Sequence, residues 1–275
     1  MNDHRPRKHF GQNFLHDGNI IAKILNAVAA RPSDHFVEIG PGHGALTRPL
    51  LEQVARLDVI EIDRDLATAI EQDITDPRLK VHRADALRFD FESISNEPAS
   101  LRLVGNLPYN ISTPLLFRFL DHSRLFRDAH VMLQKEVVER MAAEPGNKTY
   151  GRLTVSLAAR CQVESLFIVR PGSFTPAPRV DSAVARLTPD PERRGRIIDE
   201  SAFDKVVAKA FNQRRKQLGN ALRNMVAHEQ IEALGIDPEA RAETLDVDAF
   251  IRLGNFFAES SGMLDDTDIE DHPPG

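Results

Sequence analysis

Between residues 18 and about 190, short apolar runs alternate with amphipathic runs, and this alternation restricts the possible folds more than any other feature of the chain. Short apolar runs predict buried strands, and longer amphipathic runs predict helices that cover them. The predicted strands are 35–40, 56–63, 78–85, 101–106, 128–136, 161–170 and 180–189, and the predicted helices are 18–30, 45–55, 64–74 and 112–122. Such alternation indicates a mostly parallel sheet with helices on both faces, so we predict an α/β, Rossmann-like fold. The last two strands flank a proline-rich segment, and we expect them to close the sheet as antiparallel edge strands.

The composition changes after the last predicted strand. Residues 189–197 are rich in proline and charge, which is typical of a linker, and residues 200–260 predict helices only. The final fourteen residues carry four Asp, one Glu and no Lys or Arg, so we expect them to be disordered. The predicted organisation is an α/β domain at 1–190, a small all-α domain at 191–261 and an acidic tail at 262–275.

The formal net charge is −6, but the charges are unevenly distributed. Much of the acidity lies in the tail, whereas residues 203–224 hold six basic residues and one Asp. A local basic patch matters more than total charge for binding a polyanion, so the net charge does not exclude nucleic acid. The candidate phosphate-binding residues are Lys205, Lys209, Arg214, Arg215 and Lys216. The alternative for this run is an ordinary solvated helix face.

A single cysteine, Cys161, among 275 residues leaves no intrachain disulfide and no cysteine-based metal site. The segment MNDHRPRKHF lacks the apolar core of a signal peptide, and no apolar run is long enough to span a bilayer. We therefore expect a protein of the reducing cytoplasm with no membrane partner. Nothing in the sequence indicates a subunit interface, so we also expect a monomer.

A glycine-rich segment, VEIGPGHGALT (37–47), follows the first predicted strand and opens a helix. Gly40 and the glycines after it permit a tight turn and close approach of a ligand. Glu61 and Asp85 end the next two strands, where they could bind the ribose hydroxyls and the adenine amine of an adenosine-containing cofactor. The same spacing fits a dinucleotide fingerprint, so the loop alone suits a nicotinamide enzyme and a methyl-donor enzyme about equally. Glu38 favours the methyl donor, because a carboxylate there suits the cationic end of S-adenosylmethionine better than a pyrophosphate.

The loop after the fourth predicted strand, GNLPYNISTP, contains an amide and an aromatic ring that a turn does not require. The side-chain carbonyl of Asn106 and the backbone carbonyl of Leu107, which the next proline holds extended, can accept hydrogen bonds from an adenine amine. Such acceptors help because the lone pair of this amine is delocalised into the ring. Tyr109 offers a surface for stacking a flipped-out base, an interaction of roughly 1–3 kcal/mol. The alternative is that Asn106 caps the next helix and Tyr109 is a core residue. A serine and a threonine already begin that helix, so a cap is not needed from Asn106 and this alternative does not explain it.

These motifs together resemble the ribosomal RNA adenine N6-dimethyltransferase family, and within it the enzymes that act on small-subunit rRNA. The matching motifs are RKHFGQNFL (7–15), VEIGPGHGALT (37–47), VIEIDRDL (59–66), RADAL (83–87), GNLPYNISTPLLF (105–117), MLQKEVVERM (132–141), YGRLTV (150–155), FTPAPRVDSAV (174–184) and AFNQRRKQL (210–218). They occur in the order typical of the family. The glycine loop is weak by itself, whereas its combination with FGQNFL and NLPY is specific.

The resemblance implies a class I methyltransferase fold in the first domain, RNA binding by the second, and S-adenosylmethionine as donor with S-adenosylhomocysteine as product. It implies that two adjacent adenines in the 3′-terminal hairpin loop of 16S rRNA, within the immature small ribosomal subunit, become N6,N6-dimethyladenosine. The donor-site residues implied in this way are Asn13, Leu15, Gly40, Glu61, Asp85 and Asn106. Asn106, Leu107 and Tyr109 would hold the target base. Phe174 would cover its other face, unless Phe174 is an ordinary buried loop residue.

Three other functions share some of these features. A 23S-directed antibiotic-resistance methyltransferase shares QNF and an N-x-P-Y loop, but the chain length, FGQNFL and FTPAPRVDS favour the small-subunit enzyme. A nicotinamide dehydrogenase is supported by the glycine loop only. A non-catalytic ribosome-assembly factor is disfavoured by the intact NLPY loop. The donor carries its own leaving group, so no metal is expected.

Overall fold

The computed structural model describes residues 12–213 and 215–265. Every predicted strand is present, since each apolar run is long enough to cross a sheet. The strands are β1 Phe14–Leu15, β2 His35–Ile39, β3 Arg56–Glu61, β4 Leu79–Arg83, β5 Leu101–Asn106, β6 Phe126–Gln134, β7 Cys161–Val169, β8 Phe174–Thr175 and β9 Ser182–Pro189. The two-residue strands β1 and β8, which periodicity does not reveal, pair with each other as a separate antiparallel ribbon.

The other strands form one seven-stranded sheet in the order β4-β3-β2-β5-β6-β9-β7. Strands β2 to β6 are parallel, and β9 is antiparallel to β6. The prediction of two edge strands is wrong for β9, which lies between β6 and β7. The reason is burial: Ala183, Val184, Ala185 and Leu187 of β9 are all at most 1% exposed. Strand β7 lies at the edge and is exposed at several positions.

The chain leaves β2 in one direction towards β3 and β4 and later returns on the other side as β5 and β6. The gap between the carboxyl ends of β2 and β5 is therefore a topological switch point, where α/β sheets bind ligands. The two strands approach closely there, because a Cβ atom on Gly105 would lie 2.6 Å from the carbonyl oxygen of Ile39. Only glycine fits at position 105 without displacing β2.

The helices follow the amphipathic runs, with local capping at their starts. They are α1 Gly18–Val28, α2 Thr47–Leu51, α3 Arg64–Asp73, α4 Ser112–Asp121, α5 Lys135–Met141, α6 Arg152–Ala158, α7 Pro191–Arg194, α8 Glu200–Phe211, α9 Leu218–Leu222, α10 His228–Ala233 and α11 Val247–Asp265. Asp17 caps α1 by accepting hydrogen bonds from two backbone N–H groups, and Asp63 caps α3 in the same way with one. Helix α2 is shorter than predicted. Helix α4 begins at Ser112, and its N-cap residue is Ile111, which makes no side-chain hydrogen bond to the helix. Asn106 is therefore not the cap of this helix.

The chain forms two compact units, whose described residues are 12–139 with 162–189, and 140–161 with 190–213 and 215–265. The predicted boundary near residue 190 therefore misses one segment, because residues 140–161 belong to the second unit. Their side chains explain this: Tyr150 and Val155 are buried in the same core as Phe203 of α8. The acidic tail predicted at 262–275 begins inside α11, and residues 266–275 lie outside the described part of the chain.

The core of the first unit joins aliphatic residues of α1 and α2 to those of the central strands. Cys161 is buried, and burial raises the pKa of its thiol to about 12. No helix among the described residues is long and apolar enough to cross a membrane.

Candidate active site

A cavity opens in the first unit at the switch point between β2 and β5. Its empty volume, which includes solvent at its open mouth, is about 1040 Å³. The sequence-predicted site residues that line it are Asn13, Leu15, Gly40, Glu61, Asp85, Asn106, Leu107 and Tyr109. Eight of the nine predicted residues therefore lie around one space. Strands β2, β3, β4 and β5 bring six of them there at their carboxyl ends or in the loops that follow, and the segment at β1 adds Asn13 and Leu15.

The glycine loop forms one wall with its backbone. Gly40 and Gly42 have φ values of +65° and +57°, the left-handed region that side chains with a Cβ rarely adopt. A Cβ atom on Gly42 would lie 2.9 Å from the ring of Phe14, so the side chain of Phe14 in β1 already occupies the space next to this glycine. The ring of Phe14 in turn contacts that of His43, with centroids 4.2 Å apart. Sequence reasoning did not select Phe14 or His43, because only the folded loop brings them together.

Two buried carboxyl groups lie beneath this loop. Glu38 is 2% exposed and accepts a hydrogen bond from the Thr47 hydroxyl at 2.7 Å. Burial raises the pKa of Glu38 to about 7; the Thr47 bond opposes this rise, and the neighbouring charge of Glu61 adds to it. Burial also raises the pKa of Glu61. Hydrogen bonds from the backbone N–H groups of Asp63 at 2.9 Å and Gly42 at 3.4 Å oppose this rise. The cavity thus holds two acidic groups that a cationic or hydroxyl-bearing ligand would satisfy.

The second wall comes from the ends of β3 and β4. Ile62 follows Glu61 and lines the cavity while 47% exposed, which is unusual for a large aliphatic side chain. Asp85, two residues beyond β4, also lines the cavity and accepts a hydrogen bond from the backbone N–H of Leu87 at 3.0 Å. This wall therefore combines an apolar surface with a fixed carboxylate. Ile62 could have been selected from the sequence, because it is an isolated apolar residue between two acids at a strand end.

The amide of Asn106 has a defined orientation. Its Nδ2 donates a hydrogen bond to the backbone carbonyl of Asn13 at 2.8 Å. A carbonyl can only accept, so the NH₂ end of the amide must face Asn13 and the Oδ1 end must face away from it. The geometry therefore assigns the two ends of this amide, which are otherwise hard to distinguish.

The rest of the NLPY segment is held at both ends. The backbone N–H of Leu107 donates to the carbonyl of Met132 at 3.0 Å, which continues the β5–β6 ladder by one residue. The Tyr109 hydroxyl lies 2.5 Å from the hydroxyl of Ser182. Tyr109 is half-buried and lines the cavity rather than the core, as the catalytic interpretation of the loop requires.

Phe174 does not line the cavity. It is 3% exposed and packs in the core of the first unit, and its backbone pairs with Leu15 in the β1–β8 ribbon. The arrangement therefore matches the buried-residue alternative more closely than a contact with a base. Among the described residues, no group of three or more His, Cys, Asp or Glu side chains is arranged to hold a metal ion.

The comparisons with known proteins cover nearly the whole chain. A family model described as ribosomal RNA adenine dimethylase matches residues 3–259. A ribosomal RNA small subunit methyltransferase A of Pseudomonas aeruginosa is 52% identical over 260 residues, which make up 94% of this chain and 97% of the relative.

Two solved structures share the fold. A dimethyladenosine transferase from Plasmodium falciparum has a TM-score of 0.79 at 29% identity and covers 90% of this chain and 98% of its own. The 23S rRNA methyltransferase ErmE has a TM-score of 0.69 at 26% identity, covering 90% of this chain and 100% of its own. Both are methyltransferases, so the predicted class I methyltransferase fold is confirmed and the protein is an enzyme of this type. The resemblance seen in the motifs thus extends over nearly the whole chain, which belongs to the ribosomal RNA adenine dimethylase family.

Proposed function

We propose that this enzyme transfers methyl groups from S-adenosylmethionine to N6 of two adjacent adenines in the 3′-terminal hairpin loop of 16S rRNA. The product is N6,N6-dimethyladenosine, formed during small-subunit biogenesis. The main support is that the base-holding loop and the donor residues line one cavity, with Asn106 and Tyr109 beside Glu61 and Asp85. The name of the Pseudomonas relative supports the small subunit as the source of the RNA.

The cavity fits the donor in its chemistry. The backbone at Gly40 leaves room for a ligand, and the buried Glu61 carboxylate suits two ribose hydroxyls. The exposed face of Ile62 would lie against the adenine ring, and Asp85 would accept from its amine. Asn13, Leu15 and Asn106 would complete the donor site from the β1 side. S-adenosylmethionine supplies the methyl group and its own leaving group.

The residues of the chain contribute orientation and electrostatics. Asn106 Oδ1 and the carbonyl of Leu107 would accept hydrogen bonds from the target amine and aim its lone pair at the methyl group. Tyr109 would stack on the flipped-out base. The NLPY segment has no carboxylate, so we propose that the amine loses its proton to water after each transfer. A site that admits a monomethylated amine would then allow the second transfer.

The direct test is methyl transfer from labelled S-adenosylmethionine, with products digested to nucleosides. Immature small ribosomal subunits lacking the modification are the substrate, and large-subunit rRNA and DNA are the controls. We expect N6,N6-dimethyladenosine only in small-subunit RNA. Transfer to large-subunit RNA instead would indicate the activity named for ErmE. Donor binding without any transfer would contradict the proposed reaction and favour an assembly factor.

Donor affinity should depend on pH through Glu38. Burial raises the pKa of this group to about 7, so the carboxyl group ionises as the pH rises through neutrality. An ionised Glu38 would attract the cationic donor, and we expect its Kd to fall about fivefold between pH 6 and 8. Calorimetry at each pH measures this change. The Glu38→Gln variant should show a much smaller dependence on pH, and an unchanged slope in that variant would rule out Glu38 as the main titrating group.

We propose that the second unit holds RNA through exposed basic residues. Lys205 and Lys209 are exposed one turn apart on α8, opposite the buried face that contains Val206 and Phe203. Arg215 and Lys216 are exposed shortly after the same helix, whereas Arg214 lies outside the described residues. Such contacts to phosphates would make the affinity for RNA fall steeply with salt.

Charge reversal should separate RNA binding from donor binding. We expect Arg215→Glu with Lys216→Glu to weaken binding of small-subunit RNA at least tenfold and to lower its salt dependence, because two phosphate contacts are lost. Donor affinity should not change. The control is Arg252→Glu, an exposed residue on α11. If the double variant bound RNA as tightly as the control variant, this segment would be a solvated surface only.

Two sequence predictions, on the cellular compartment and on the oligomeric state, belong with this proposal. We propose a cytoplasmic enzyme, because an rRNA substrate and a single buried cysteine both suit a reducing compartment. A monomer remains a prediction, which sedimentation of the purified protein would check.

A further inference from the structure

The hydroxyl groups of Tyr109 and Ser182 form a contact that the proposed function does not require. Their oxygens lie 2.5 Å apart, although the residues are 73 positions apart in the chain. Tyr109 lies in the loop after β5, and Ser182 is the first residue of β9. The contact therefore ties the tip of a loop side chain to the central sheet.

Ser182 is a rigid anchor. Its side chain is 0% exposed, and its backbone is in register with Gln134 at the end of β6. Just before it, the carbonyl of Asp181 accepts a hydrogen bond from the backbone N–H of Lys135 at 2.9 Å. The position of this hydroxyl is therefore set by the β6–β9 ladder rather than by the loop that it contacts.

The backbone around Tyr109 is also constrained. The Ser112 hydroxyl donates to the Tyr109 carbonyl at 3.1 Å, and the N–H of Ile111 donates to the carbonyl of Pro108 at 3.2 Å. With its main chain held by these bonds, the ring of Tyr109 can still rotate about its side-chain torsions. The hydrogen bond to Ser182 removes this freedom at the far end of the ring.

A fixed ring matters for a stacking residue. A base that stacks on a mobile ring must also immobilise that ring, which costs conformational entropy. A ring that is already fixed presents its face before the base arrives. The half-buried position of Tyr109 beside the cavity leaves one face available for such a contact.

We propose that Ser182 is a positioning residue, whose hydroxyl fixes the phenol of Tyr109 so that the ring is oriented for the target adenine before RNA binds. This inference rests on the proposed function of Tyr109 and extends it to a residue of β9. Ser182 does not contact the base or the donor and acts only through Tyr109.

The test compares Ser182→Ala, Tyr109→Phe, the double variant and Tyr109→Ala in the methyl transfer assay. We expect Ser182→Ala and Tyr109→Phe each to lower kcat/KM for RNA about fivefold, since each removes the same hydrogen bond. The double variant should be no worse than either single variant, whereas Tyr109→Ala should lose far more because the stacking surface is gone. Donor affinity should be unchanged in all four. The control is Ser123→Ala, which removes another buried hydroxyl, bonded to the Leu120 carbonyl at 2.9 Å.

A second measurement reads the contact without RNA. The chain has two tyrosines and no tryptophan, so protein labelled with ¹³C at the tyrosine Cζ position should give two phenol signals. Ser182→Ala should shift the Tyr109 signal and leave the Tyr150 signal in place. An unmoved Tyr109 signal, unchanged kcat/KM in Ser182→Ala, or additive losses in the double variant would each overturn the assignment. If the wild-type enzyme transferred no methyl group to small-subunit RNA, the proposed function would fail, and the NMR signals would still test the contact.

Discussion

Asn106→Ala should lower kcat for methyl transfer about 100-fold or more, while the protein still binds the donor. The substitution removes the side-chain carbonyl that would accept a hydrogen bond from the target amine. Loss of one such preoriented group typically lowers kcat by a factor of roughly 10²–10³. It also removes the hydrogen bond from Asn106 to the Asn13 carbonyl just before β1. Glu61, Asp85 and the glycine loop remain, so donor affinity should change only a few-fold.

Two measurements check this expectation. Single-turnover transfer with saturating donor and RNA reports the chemical step, and calorimetry with S-adenosylhomocysteine reports the donor site. The matched control is Asn110→Ala, which truncates the same kind of side chain in the same loop and along the same cavity. Turnover near the wild-type rate in Asn106→Ala would rule out a role for this amide in the reaction. An equal loss in both variants would indicate a general disturbance of the loop.

The largest expected effect on stability comes from Asp58→Asn. Asp58 lies on β3, is 0% exposed, and bridges two histidines on the neighbouring strands. Its Oδ2 lies 2.6 Å from Nε2 of His35 on β2, and its Oδ1 lies 2.6 Å from Nε2 of His82 on β4. Removal of this buried carboxylate should lower the free energy of unfolding by about 2–4 kcal/mol, because both imidazoles lose a charged acceptor.

The same carboxylate predicts how stability depends on pH. Burial alone would raise the pKa of Asp58, but the hydrogen bonds from His35 and His82 outweigh burial and hold the pKa well below its usual range. Since the folded pKa lies below that of the unfolded chain, the stabilisation is present above about pH 4 and is lost as the pH falls further. Urea unfolding should therefore separate wild type from Asp58→Asn at pH 6 and bring the two together at low pH.

The control for this prediction is Asp73→Asn, which removes an aspartate whose ion pair with Arg48 is largely exposed. We expect this change to leave the urea midpoint nearly unaltered, because surface ion pairs contribute little. An Asp58→Asn variant as stable as this control would show that the β2–β3–β4 bridge adds no net stability.

Much of the first unit could be predicted from the sequence. The alternation of runs correctly indicated strands β2 to β6 and their parallel direction, since strand and helix periodicities are local properties of the chain. Once the strands are parallel, the residues at their carboxyl ends must share one edge, so the sequence alone predicts that Glu61, Asp85 and Asn106 meet. They do line one cavity. Asn13, just before β1, and Leu15, within it, came only from the family resemblance, because a two-residue strand has no periodicity.

The tertiary structure decided the features that depend on packing between distant segments. The sequence of residues 140–161 does not show which core its apolar side chains join, and the fold assigns that segment to the second unit. Phe174 could be a base contact or a core residue on sequence grounds, and its position beside Leu15 places it in the core. The Tyr109–Ser182 contact and the Asp58 bridge join residues 73 and 23 or 24 positions apart. Sequence periodicity determines whether a segment forms a strand or a helix, because it reflects neighbours along the chain. The contacts between distant residues form only when the elements pack against one another and fill the same buried space.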